Sequence, residues 1–268
     1  VKINNITKKY GKTEVLKNIS LEIREREKIA ILGSNGTGKS TLMNIINKTL
    51  TASSGNIDYE GMELTSKNTA YIMQNMTLPN DAKVSEVIEL FAQNQKNLEN
   101  GKRLIKEFRM EDFLDRKYSS LSGGQKQKLF LVSAIQNQPE YFFFDEITTG
   151  LDSESREELF QFFSQDHHVQ KTTLVLVTHY LEEALQICNR FVILKDGKIT
   201  ADLTKKDLVD EDYCFVTFDE SISEYEPYKL EESYKLPKHL QEEMFRKYQS
   251  HIVNYERDYR MNLGGLLQ

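Results

Sequence analysis

No run of this sequence approaches the ~18–20 consecutive apolar residues that cross a bilayer; stretches such as 141-YFFF-144 and 174-LVLV-177 stop at four residues. The first residues carry no basic segment leading into an apolar one, so no secretory leader is expected. Cysteine is scarce. Cys188 and Cys214 lie in different segments, without CxxC or His/Cys ligand spacing, and read as free thiols of a reducing compartment. Basic excess is missing too: 35 Lys and Arg stand against 41 Asp and Glu, a net charge of −6, which leaves no electrostatic footprint for nucleic acid. The charge is uneven. Residues 205–268 hold 9 basic and 14 acidic side chains, or −5, so residues 1–204 are nearly neutral and the acidic tail reads as a separate module. Neither an internal repeat nor a low-complexity tract interrupts either part.

What is present is an alternation of strands and helices over residues 1–204. The segments 1-VKINNIT-7, 19-ISLEI-23, 28-KIAILG-33, 69-TAYIMQ-74, 141-YFFFDE-146 and 173-TLVLVTH-179 read as strands. Helices are expected at 41–50, where Leu42, Ile45, Ile46 and Leu50 share a face, and at 122–135, 154–163 and 181–188. Residues 191–200 read as a hairpin turning at Asp196-Gly197, and about 79–135 as a polar helical insert. Strands alternating with helices predict an α/β fold with a mostly parallel sheet covered on both faces. In the tail, a strand over Tyr213–Phe218 is expected, followed by a helix over Leu240–Tyr259. That helix is read from Leu240, Met244, Tyr248, Ile252, Tyr255 and Tyr259 at spacings of three or four.

Three motifs carry chemistry. Gly33-Ser34-Asn35-Gly36-Thr37-Gly38-Lys39-Ser40, followed by Thr41, fits GxxxxGK[ST] between a strand and a helix. Glycines let backbone N–H groups close around phosphate oxygens, and the helix N-terminus adds a favourable dipole. Lys39 then reaches the β/γ-phosphates and the Ser40 hydroxyl ligates Mg²⁺. Asp145-Glu146 end an apolar strand, where doubly wound sheets bind ligand. There Asp145 is placed to hold Mg²⁺, and Glu146 to polarise the attacking water. The third motif, Leu121-Ser122-Gly123-Gly124-Gln125, opens a helix and offers a second anion site.

This third motif matches the signature of ABC ATPases, and residues 1 to about 204 resemble that family. The resemblance implies an ABC-type P-loop ATPase core with an antiparallel β subdomain and a helical insert, a small C-terminal extension, and ATP and Mg²⁺ as bound species. It implies that Tyr10 stacks on adenine, that Gln74 senses Mg²⁺ and γ-phosphate beside the membrane subunit, that Asp152 lies across a dimer interface, and that His179 contacts the γ-phosphate. In the family, Ser122, Gly123, Gly124 and Gln125 of one chain meet the phosphate loop of another, head to tail. The implied partners are a second ATPase subunit, identical or merely similar, and a transmembrane permease on a separate chain, with no nucleic acid. The implied location is the cytoplasmic face of the cell membrane. Met73, Met76, Leu78 and Phe91 offer adaptable apolar surface for a helix of that permease.

Departures narrow the resemblance. Ile147 stands where the family usually has proline, which removes a φ constraint and touches neither carboxylate. The helix after the signature lacks the arginine-rich form common in importers, and 114-LDRKYSS-120 lacks the acidic loop of fused exporters. With 145-DEITTGLD-152 and 178-THYLEEA-184, the sequence is most similar to the separate ATPase subunits of ABC-2-type exporters, including Gram-positive exporters of peptide toxins and antimicrobial peptides. The alternative is an ABC ATPase acting on ribosomes or DNA, but such relatives carry two cassettes with a basic linker or a long coiled coil, and neither is found here. A nucleotide-binding switch without turnover is opposed by the presence of both Glu146 and His179.

Overall fold

Alternation makes β1 (Lys2–Tyr10) and β2 (Thr13–Glu22) an antiparallel hairpin that turns at Gly11. The period slips three times, first between Ile3 and Ile6. Asn5 takes a left-handed backbone (φ 54°) and donates through its side chain to Asn18 Oδ1, itself at φ 57°. The register shift lets Ile3 and Ile6, three apart, both reach the core. The computed structural model describes residues 1–60, 64–65, 67–73, 76–230 and 233–259 of the chain. It divides into two compact units, Val1–Asp202 and the part from Leu203 onward.

In the first unit, β3 (Lys28–Leu32) is buried throughout, as the apolar run from Ile29 to Leu32 requires of a central strand. It feeds α1 (Lys39–Ile46). That helix begins two residues before the expected 41–50 segment and ends early, because Lys48 turns left-handed (φ 61°) and the Thr49 and Leu50 amides fold back onto Asn44 O. β4 (Ser54–Asp58), rich in small polar residues and not expected from the sequence, joins the first hairpin in a sheet of order β2-β1-β4. β5 (Thr69–Ile72) follows.

The helical insert comprises α2 (Val84–Phe91), α3 (Gln95–Glu107), short 3₁₀ turns at Glu111–Phe113 and Tyr118–Ser120, and α4 (Gly123–Ile135). The chain continues through β6 (Tyr141–Asp145), α5 (Ser153–Gln165), α6 (His167–Gln170), β7 (Thr173–Thr178), α7 (Leu181–Ile187), β8 (Arg190–Lys195) and β9 (Lys198–Thr204). The large sheet has the order β5-β6-β7-β3-β8-β9, and the pairs from β5 to β8 run parallel. Neighbouring β6, β7 and β3 therefore bring their C-terminal ends, with Asp145, Thr178 and Leu32, to one edge, where such sheets hold ligands.

The second unit contains α8 (Lys205–Leu208), β10 (Val209–Phe218), β11 (Lys229–Leu230), β12 (Ser233–Pro237), α9 (Lys238–Tyr248) and β13 (Ile252–Tyr259), with sheet order β11-β12-β10-β13. Cys214, Val216, Phe218, Tyr225, Tyr234, Leu236 and Met244 form its core. The helix expected over Leu240–Tyr259 is corrected: it ends at Tyr248, and Ile252, Tyr255 and Tyr259 belong to a strand paired with β10. Leu240, Met244 and Tyr248 do share a helical face. Beyond them, β-branched Ile252 and Val253 favour extended backbone, and the open edge of β10 supplies a ladder. Among the described residues no helix is long and apolar enough to cross a membrane.

Candidate functional site

The phosphate loop is shaped by close approach. A Cβ on Gly33 would meet Leu194 O at 2.3 Å, and Gly38, at φ 103°, leaves only 2.7 Å from such a Cβ to Leu16. Both positions demand glycine. Lys39, 5% exposed, donates from Nζ to Gly33 O at 2.8 Å and Ser34 O at 2.9 Å, so its ammonium lies curled inside the loop. Burial lowers its pKa, and the nearby Glu146 and Asp145 carboxylates oppose that shift. A cavity of about 380 Å³ opens here, lined by Val15, Asn35, Gly36, Gly38, Lys39, Ser40, Thr41 and Glu146. Thr37 is tied into the loop by its hydroxyl, which donates to Ser34 O.

Asp145 is 4% exposed, and its Oδ1 has no hydrogen-bond partner. Desolvation raises its pKa; a hydrogen bond from Ser40 counteracts this, neighbouring Glu146 adds to the rise and Lys39 opposes it. A buried carboxylate with an orphaned oxygen beside a serine hydroxyl fits a hard divalent cation such as Mg²⁺. Glu146 is held in the left-handed region at φ 53°, with its N–H donating to Val177 O. A proline at 147 would push the preceding residue toward extended backbone, so Ile147, itself fully buried, is compatible with this conformation. Such a backbone costs on the order of 1–3 kcal/mol in a non-glycine residue. His179, just beyond β7, sets Nδ1 3.2 Å from Glu146 Oε1, and its ring packs on Tyr180 with centroids 3.8 Å apart.

The signature residues gather around a different cavity. Ser122 caps α4: its Oγ accepts from Gln125 N, while Ser122 N donates to Gln125 Oε1. Gln125 thus commits its side-chain oxygen to its own helix. Asp152 caps α5 by accepting from Ser155 N at 2.8 Å, and this bond lowers its pKa. Ser122, Gly123, Gly124, Gln125, Gly150 and Asp152 all line this cavity of about 470 Å³. The two cavities have no lining residue in common.

Two expected residues stand apart. Tyr10 is 51% exposed at the tip of the first hairpin and does not line the phosphate-loop cavity, whereas Val15 of β2 does. Val15 escaped sequence reading because one apolar residue in a strand carries no signal of its own. Gln74 lies outside the described residues.

A phosphate loop, a buried strand-end acid, a strained glutamate and a strand-end histidine along one sheet edge define a P-loop ATPase. The family described as ABC transporter matches residues 16–149, and the chain belongs to it. It is 33% identical over 74% of its length to a probable sulfate/thiosulfate import ATP-binding protein of Chlorella vulgaris, covering 88% of that protein. It is 34% identical over 78% of its length to a macrolide export ATP-binding/permease protein of Campylobacter jejuni, of which it spans 35%. Among solved structures, an ATP-binding cassette captured as a dimer in a post-hydrolysis state with ADP and phosphate is similar at 27% identity and a TM-score of 0.66, covering 76% of this chain and 97% of that one. The chain is an ATPase subunit of the ABC transporter class.

Proposed function

We propose that two such cassettes bind ATP head to tail, each closing its phosphate-loop cavity against the signature cavity of the other, and that the cycle drives export through a separate permease. The observation that carries this reading is the separation of the two anion-binding cavities within one chain. On this reading, backbone N–H groups of Gly36, Gly38 and Lys39 cradle the phosphates, and the Lys39 ammonium turns from its loop carbonyls to phosphate oxygens. Ser40 and Asp145, with Gln74, would hold Mg²⁺, which would supply positive charge beside the phosphates. Glu146 orients the attacking water, and His179 fixes that carboxylate and reaches toward the γ-phosphate. Ser122 and Gly123 of the opposite chain supply N–H donors from the N-terminus of α4, Asp152 faces the opposite chain, and Tyr10 stacks on adenine. Glu146→Gln tests this: turnover should fall at least a hundredfold while ATP is retained, and a nucleotide-dependent dimer should accumulate on a sizing column. Near-normal hydrolysis by the variant would remove Glu146 from this role.

Export, and the ABC-2-type partner within it, rest on the resemblance of 145-DEITTGLD-152 and 178-THYLEEA-184, since the relatives include both an importer and an exporter. A cleft lined by Ile72, Met76, Phe91 and Phe130, beside exposed Met73 and Leu90, suits a permease helix at the cytoplasmic face of the membrane. The direction is tested with vesicles whose cassettes face outward, prepared with the co-purified permease and a labelled hydrophobic antimicrobial peptide. Export requires ATP-dependent uptake into the lumen; ATP-driven loss of preloaded peptide means import.

A further inference from the structure

Glu183 is 7% exposed in the first turn of α7, four residues after His179, and the chemistry assigned above does not use it. Its Oε2 accepts from the Thr148 hydroxyl at 2.5 Å, and its Oε1 lies 3.5 Å from Arg156 Nη1. Thr148 is 3% exposed, two residues after Glu146. Arg156, on the first turns of α5, donates from Nε to Leu151 O at 3.2 Å, next to Asp152. One buried carboxylate therefore holds the 146–152 loop at Thr148 directly and at Leu151 through Arg156. That loop begins at Glu146, which lines the phosphate-loop cavity, and ends at Gly150 and Asp152, which line the signature cavity. Its backbone closes with bonds from Thr149 N to Glu146 O and from Leu151 N to Thr148 O. With Ile147 in place of a proline, no ring stiffens the loop, and the tether falls to side chains.

We infer that Glu183 is a positioning residue that ties α7, which follows His179, to the 146–152 loop, so that the state of one chain's hydrolytic cavity sets the shape of its signature cavity. Glu183 lines neither the phosphate-loop cavity nor the signature cavity. It acts by fixing Thr148 and Arg156, and a displacement of His179 on meeting a γ-phosphate is carried through α7 to Asp152. The inference rests on the roles proposed for Glu146 and His179.

The experiment compares ATP hydrolysis and labelled-nucleotide binding in Glu183→Ala, Glu183→Gln, Thr148→Val, Thr148→Ser and the double variant Thr148→Val/Glu183→Ala. The inference expects kcat to fall ten- to a hundredfold in Glu183→Ala and Thr148→Val, with nucleotide affinity within threefold of the parent. Thr148→Ser, which keeps the hydroxyl, should recover most of the rate, Glu183→Gln should be intermediate, and the double variant should be no worse than the poorer single, the mark of one shared contact. Rates within twofold of the parent in both Glu183→Ala and Thr148→Val overturn it. So does a parallel loss of nucleotide affinity and thermal stability, which marks a merely structural group, or strict additivity in the double variant. If Glu146→Gln keeps turning over while the Glu183 variants do not, the assignment of Glu146 fails and the tether stands.

Discussion

Asp145 sits where burial opposes the charge of its carboxylate. Its carboxylate is buried with one oxygen unpartnered, and its pKa is raised above the ordinary carboxylate range. A native pKa above the unfolded one means that folded protein binds the extra proton between the two values. Stability therefore falls as pH rises from the usual carboxylate pKa of about 3.9 through the raised native value, and the cost is fully present above that value. Asp145→Asn should raise the melting temperature of nucleotide-free protein by about 2–4 °C, the equivalent of about 1 kcal/mol in a domain of this size, and should abolish Mg²⁺-dependent hydrolysis. Scanning calorimetry and a phosphate-release assay check both halves. The raised pKa also makes protons compete with the cation. Half-maximal Mg²⁺ for hydrolysis should shift upward as pH is lowered toward the raised native pKa of Asp145, a dependence read from Mg²⁺ titrations at each pH. The motif residues were legible in the sequence because phosphate chemistry prescribes their types and spacing. Val15 and Glu183 were not, because their places depend on which strands and helices meet in three dimensions.

Among the elements, those that carry an unbroken pattern were the most readable. The wholly buried β3, β6 and β7 were visible as short apolar runs, and α4 and α5 as helices over 122–135 and 154–163. Elements that depend on partners were not readable: β4 is built from Ser54-Gly55-Asn56-Ile57-Asp58 and exists because β1 offers it an edge. The same cause explains the tail, where a helical spacing of Ile252, Tyr255 and Tyr259 gives way to pairing with β10. We propose that the unit from Leu203 onward adds contacts that modulate the cassette pair. Its core is its own: Met244 is fully buried against Cys214, Val216 and Leu236. Met244→Ala should cost the unit about 2–5 kcal/mol and appear as earlier denaturation in hydrogen exchange of β10 and β12, with nucleotide affinity unchanged. Truncation after Thr204 should keep ATP binding and shift the protein-concentration dependence of hydrolysis. Identical concentration dependence in full and truncated chains would end the dimer role.

At the scale of the whole molecule, we propose that a complete hydrolytic site is assembled from two chains. Two variants isolate the halves. Lys39→Ala removes the charge that meets the β/γ-phosphates, and an ion-to-phosphate hydrogen bond is worth about 1.5–3 kcal/mol, or roughly ten- to a hundredfold in affinity. Gly123→Asp acts on the other half without disturbing its own chain, because a Cβ there meets no atom within 4 Å; its carboxylate would point where the opposite chain's phosphate belongs. Each variant alone should be inactive. Mixed in equal amounts, they should recover hydrolysis at about a quarter of the wild-type sites, since half of randomly formed pairs are mixed and each mixed pair holds one intact composite site. The phosphate-release rate of that mixture is the decisive measurement: recovery toward a quarter of the wild-type rate is the predicted result, and a rate no higher than that of the separate variants contradicts the head-to-tail site.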